Sequence, residues 1–129
     1  MNRLFAALLF LFLAMPVAAD PVQAIAEGQA ALQGGDPATA ARLWEEAAIA
    51  DVQESFHLLV SLHESGPDPS PVQAFMWAWI GQARTWDPKL SKRASQDYDR
   101  LQNALRREVR QQGRDMAEAW LAQHPRPTP

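Results

Sequence analysis

The sequence predicts an all-α protein: a short α-solenoid of two helix-turn-helix repeats closed by a C-terminal capping helix or bent helix pair. Three observations predict it. Ala40, Leu43, Trp44 and Ala47 are followed 34 residues later by Ala74, Trp77, Ala78 and Gly81, a period at which helical hairpins stack and each covers its neighbour's apolar face. Asp36-Pro37, Ser70-Pro71 and Asp87-Pro88 each pair a capping side chain with a first-turn proline, the combination that starts a helix. From Ala94 to Trp120 the apolar residues step by three and four, as one face of a helix does.

The first element is a targeting segment. Arg3 gives a positive start, Leu4 to Met15 are uninterruptedly apolar, and Pro16-Val17-Ala18-Ala19 supplies the small residues of a cleavage site. The apolar run is 12 residues long, and a membrane-spanning helix takes about 20. Residues 1–19 therefore read as an export signal cut after Ala19, with no stable membrane span left after cleavage and a periplasmic or secreted destination. The remainder is long enough for one small core. The chain has no cysteine, so helix packing rather than disulfides must hold it, and thiolate metal binding and redox chemistry are excluded.

The first helix starts at Asp20 or Pro21 and carries Val22, Ile25, Ala26, Ala30 and Leu32 as its apolar positions, until Gly34-Gly35 stops it. The second runs from about Pro37 to Ala50, with alanines around Leu43 and Trp44, so that a neighbouring helix approaches closely and one indole fills the gap. A third, from about Val52 to Glu64, turns Phe56, Leu59, Leu62 and His63 inward, with Leu58 and Val60 flanking. Three prolines at 67, 69 and 71 make a stiff connector. The fourth helix, with Val72, Phe75, Met76, Trp77, Trp79, Ile80 and Ala83, is apolar on nearly every side and needs a further cover. Residues 89–123 provide it: Ala94, Tyr98, Leu101 and Leu105 continue into Val109, Gly113, Met116 and Trp120, with Gly113 the expected weak point because glycine costs about 1 kcal/mol inside a helix. Residues 124–129, rich in proline, are expected to fray.

These residues resemble a known family. Gly28-Gln29-Ala30-Ala31, Gly35-Asp36, Ala40, Leu43-Trp44 and Ala47-Ala48 are similar to the tetratricopeptide repeat and its relative, the Sel-one-like repeat. Leu59 to Gly66 followed by Gln73-Ala74-Phe75-Met76-Trp77 resembles a second unit, so residues 20–88 form two repeats. Val60 stands where the family usually has glycine, which predicts a wider helix separation in that unit. The resemblance implies a protein- or peptide-binding scaffold with no catalytic activity to carry over.

Reactive constellations are sparse. His57 and His63 are six apart and face different sides of a helix, so neither a metal site nor a cofactor site is expected; Glu54 is the nearest candidate partner for His57. The acid pairs Glu45-Glu46 and Asp97 with Asp99 read as solvated surface, and no serine sits in a nucleophile-elbow setting. No catalytic residue is expected.

Charge is uneven. Residues 20–83 hold nine acids against one base, a balance of −8, and residues 84–129 hold ten bases against six acids, a balance of +4. Arg93, Arg100, Arg107 and Arg114 recur every seven residues and read as one straight basic stripe along a continuous helix, with Asp97, Asp115 and Glu118 as neighbours able to pair with them. Two functional readings follow. In the first, a protein or peptide partner, not nucleic acid, docks in a groove formed with the C-terminal helix and lined by Phe75, Trp79 and Trp86, while Gly28, Ala40, Trp44, Ala47, Ala74, Trp77 and Gly81 are structural repeat positions. In the alternative, the arginine stripe holds the protein on an anionic polymer or membrane surface.

Overall fold

The computed structural model describes residues 20–127. The predicted signal and its cleavage point, and the last two residues of the tail, lie outside them. The described chain is all-helical: α1 (Pro21–Gln33), α2 (Pro37–Ile49), α3 (Glu54–Ser65), α4 (Pro71–Arg84), α5 (Pro88–Ala104) and α6 (Arg107–Gln123).

Four helices begin on a side-chain cap followed by proline. Asp20 accepts from the Val22 amide at 3.0 Å, Asp36 from Thr39 at 3.1 Å, Ser70 from Gln73 at 3.3 Å and Asp87 from Lys89 at 2.9 Å. Each bond satisfies one of the amides that a helix start leaves without a partner. The Thr39 hydroxyl also donates to Asp36 and holds its carboxyl below the usual carboxylate range. α3 starts differently, because Gln53 makes no cap bond. Its side-chain oxygen accepts from the amides of Trp86 and Asp87, both at 3.0 Å, and so ties the start of α3 to the α4–α5 connection.

Packing follows chain order at first: α1 lies on α2, α2 on α3 and α3 on α4. Then α5 and α6 both fold back on α4, and α5 also touches α3. The broadly apolar α4 is thereby covered from three sides, with Ala74, Phe75, Met76, Trp77, Ala78 and Ile80 all buried. The core runs through the molecule from Ala24 to Ala117, with Trp44, Trp77, Phe56 and Phe75 its largest members.

Several local expectations are corrected by the structure. On α1 the buried side is Ala24, Ile25 and Gly28, whereas Val22 is 67% exposed and Ala26 and Ala30 face outward. Val60 is fully buried rather than flanking. The C-terminal segment is two helices, and the break is not at Gly113: Leu105 and Arg106 both take extended backbone between α5 and α6. Gly113 instead sits where α6 crosses α4. A Cβ there would come within 2.8 Å of the Val72 carbonyl oxygen and 3.1 Å of the Phe75 ring, so glycine is what lets the two backbones meet. Gly113→Ala is expected to destabilise the protein by about 1 to 2 kcal/mol, read as a lower denaturant midpoint at unchanged slope; a neutral result would show that α6 is not seated this closely. Three residues on, the side chain turned to the core is Ala117, and Met116 is 38% exposed.

The beginning of the tail is anchored rather than frayed. Arg84, almost fully buried at the end of α4, donates to the His124 carbonyl and lies over the Trp120 ring at 5.7 Å. Arg126 donates to the Arg84 carbonyl at 2.8 Å and pairs with Asp51 at 3.5 Å. The edge of Trp77 meets Trp120 at 5.4 Å between centroids, which closes this end of the core.

Candidate functional site

Two concave surfaces are built by this packing. The first is a groove between α1 and α3. It consists of two hollows that share Gln29 and Leu58, one of about 250 Å³ reaching toward α5 and one of about 460 Å³ reaching toward Gly66. The floor is apolar: Ile25, Phe56, Val60 and Trp77 under the first hollow, Trp44 and Leu62 under the second. It exists because α1 and α3 are held apart by their common partner α2 rather than pressed together.

At the α5 end of this groove stands a polar chain. His57 Nδ1 lies 2.6 Å from Asp97 Oδ2, Arg100 donates to Asp97 Oδ1 at 3.1 Å, and the Arg100 guanidinium forks onto Glu64 at 2.9 and 2.6 Å. Asp97 is 3% exposed, so it is no solvated surface acid, and His57 takes its partner from α5 rather than from Glu54. The Glu64 hydrogen bonds raise the Arg100 pKa above its ordinary value, which keeps it charged at every accessible pH. His63, in contrast, is pushed below the usual imidazole range by burial.

Ser61 Oγ sits 3.5 Å from His57 Nε2, which puts serine, histidine and aspartate in the order of an acyl-transfer triad. The surroundings do not complete it. Ser61 lies in the middle of α3, where the neighbouring amides donate along the helix and cannot converge on a developing oxyanion. Asp97 is moreover shared with Arg100. The chain is a clamp that pins α5 to α3.

The second surface lies on the other side of α4, where α5 and α6 diverge. Phe75, Trp79 and Tyr98 form a triangle with centroids 6.4, 6.0 and 5.9 Å apart, and Arg107, Arg110 and Arg114 stand around it in an open groove of about 290 Å³. The Arg114 guanidinium lies 4.8 Å over the Trp79 ring while its Nε donates to Glu118 at 3.1 Å.

The structure thus brings Phe75 and Trp79 together, with Phe75 buried as floor, but not Trp86. That residue is 67% exposed on the α4–α5 connection and lines neither groove. The four arginines do not form one stripe, because the break at Leu105 and Arg106 interrupts the seven-residue spacing. Arg93 borders the first groove, Arg100 belongs to the clamp, and Arg107 and Arg114 belong to the second groove. Asp97 and Glu118 pair with arginines on their own helices, and Asp115 accepts instead from Gln111 at 3.0 Å. The repeat positions Gly28, Ala40, Trp44, Ala47, Ala74, Trp77 and Gly81 are all buried. Gln29, Leu58 and Gln53, which shape the first groove, carried no sequence signal, because polar and apolar residues at helix edges look alike until a neighbouring helix is placed beside them.

No family model matches the chain, and neither a curated protein nor a solved structure matches it. Among the described residues no group of three or more histidines, aspartates or glutamates is placed to hold a metal ion, and no helix is long and apolar enough to cross a membrane.

Proposed function

We propose that this is an exported helical-repeat protein that binds a protein or peptide segment, with the groove between α1 and α3 as its principal contact surface. The observation that carries the reading is the concavity itself: two adjoining hollows between α1 and α3 over a floor of core residues from Trp44 to Trp77, with Leu32 and Leu58 partly exposed in their walls. A peptide laid there would cover Leu32 and Leu58, as helical grooves do in peptide recognition.

The pairing of sizes within the two hairpins supports the repeat reading. Gly28 on α1 faces Trp44 on α2 so closely that a Cβ would come within 2.3 Å of the indole nitrogen, which itself donates to the Ile25 carbonyl at 3.2 Å. The corresponding positions in the second hairpin are Val60 and Ala78, both buried. Bulk has moved from one helix to the other while the pair remains core. Likewise Ala24 and Ala47 correspond to Phe56 and Gly81, and a Cβ on Gly81 would meet Phe56 Cβ at 3.2 Å. Valine in place of glycine in the second unit thus stands with alanine in place of tryptophan at the corresponding position of its hairpin partner.

A photo-crosslinking residue at Gln29 or Ser61, on the rim of the groove, is expected to capture a discrete partner in intact cells. The crosslinker-bearing protein itself should begin at Asp20 by mass, and Leu58→Glu should abolish capture without changing the helical circular dichroism. Equal capture from Gln123, an exposed position that lines neither groove, or capture unaffected by Leu58→Glu would refute the reading.

A further inference from the structure

We infer that the groove between α4, α5 and α6 is a separate binding site for an acidic peptide segment, one that places a carboxylate among Arg107, Arg110 and Arg114 and an adjoining apolar side chain against Trp79 and Tyr98, which the buried Phe75 backs. It lies on the two closing helices, outside the hairpins, and stands whether or not the α1–α3 groove binds anything.

The argument begins with unpaired charge. Among the described residues Arg107 and Arg110, like Arg84, Arg93 and Arg106, have no carboxylate within ion-pair distance, whereas Arg42, Arg100, Arg114 and Arg126 are paired. Arg110 is half-buried, and its Nε is shielded from solvent with no hydrogen-bond partner. Its terminal N–H donors are not shielded in this way and have no acceptor in the fold, so they are the donors that a ligand carboxylate in the groove would meet.

The geometry favours a planar oxyanion. Arg114 lies over the Trp79 indole and is held at its Nε by Glu118, and a guanidinium ordered at two points loses less freedom when its terminal donors grip a carboxylate. Arg107 and Arg110 occupy the first turn of α6, whose start has no side-chain cap, so the helix dipole adds to their attraction for negative charge.

The aromatic floor decides the kind of ligand. An inorganic anion would leave Trp79 and Tyr98 unused. A nucleotide base needs an open ring face to stack on, and these rings already pack against one another at interplanar angles of 31 to 56°, with Arg114 over Trp79. An aliphatic or aromatic side chain beside an aspartate or glutamate satisfies both halves of the groove.

The test is calorimetric titration of the purified protein with three probes: a blocked hexapeptide bearing two glutamates on either side of one phenylalanine, the same peptide with glutamines, and sodium polyphosphate. The glutamate peptide is expected to bind, the glutamine peptide to bind at least about tenfold more weakly, as loss of a charged hydrogen bond implies, and polyphosphate to bind more weakly than the glutamate peptide. Arg110→Gln should reduce glutamate-peptide affinity by a similar factor, with Arg42→Gln, on α2 and lining neither groove, unchanged. Absence of glutamate-peptide binding, equal binding of the glutamine peptide, tighter binding of polyphosphate, or indifference to Arg110→Gln would overturn the inference. Circular dichroism of each variant separates loss of binding from loss of fold.

Discussion

Trp44→Ala is expected to lower stability by about 3 to 5 kcal/mol, the range for truncating a buried tryptophan, a large share of what holds a domain of this size. The indole is 2% exposed, seated on Gly28 and hydrogen-bonded to the Ile25 carbonyl, so its removal opens a cavity that glycine on the facing helix cannot refill. The same residue closes the floor of the α1–α3 groove, and its loss should weaken partner capture as well. A drop in melting midpoint of more than about 10 °C is the expected reading; an unchanged midpoint would show that the first hairpin is not anchored by this side chain. Adding bulk back opposite the cavity, as Gly28→Ala in the Trp44→Ala background, should recover part of the loss, whereas Gly28→Ala alone collides with the indole.

The second large effect is expected at Asp97. Replacing it with alanine removes the one acceptor shared by His57 and Arg100 and leaves only the more exposed Arg100–Glu64 bond of the clamp between α3 and α5, at a cost of about 3 kcal/mol. This is below the extreme for a broken buried ion pair, because the His57 and Arg100 side chains are 34% and 47% exposed and water can replace part of what is lost. Thermal unfolding of Asp97→Ala beside Glu64→Ala checks the assignment. Glu64→Ala, which breaks only the more exposed end of the clamp, should cost much less, and equal losses would place the clamp's strength elsewhere.

Helix starts were the most legible part of this chain. Asp36, Ser70 and Asp87 before proline are local chemistry, and a cap bond forms within three residues of the side chain that makes it. The covering of α4 was legible too, since a helix apolar on all sides has no stable solution but enclosure. What could not be read was anything set by contacts between distant segments. Nothing at Leu105 and Arg106 announces a break, with neither glycine nor proline there; the even arginine spacing pointed to continuity instead. Gly113 looked like a weakness because its helical propensity is poor, and its role as a contact with the α4 backbone depends on a crossing that only the tertiary structure defines. Asp97 looked like surface beside Asp99, since its partners lie 40 residues away on α3 and three residues away on its own helix. Of the candidate binding residues, Phe75 and Trp79 were recognisable from their bulk, but the same criterion selected Trp86, whose ring stays in solvent.

The enclosure of α4 by helices on both sides of it in the chain also fixes an order of events. During synthesis Phe75, Met76 and Trp77 emerge some 30 residues before Arg107, and at a ribosomal pace of about 5 to 20 residues per second they wait seconds for their last cover. Until α6 has emerged, a nascent chain therefore carries this apolar face without its last cover.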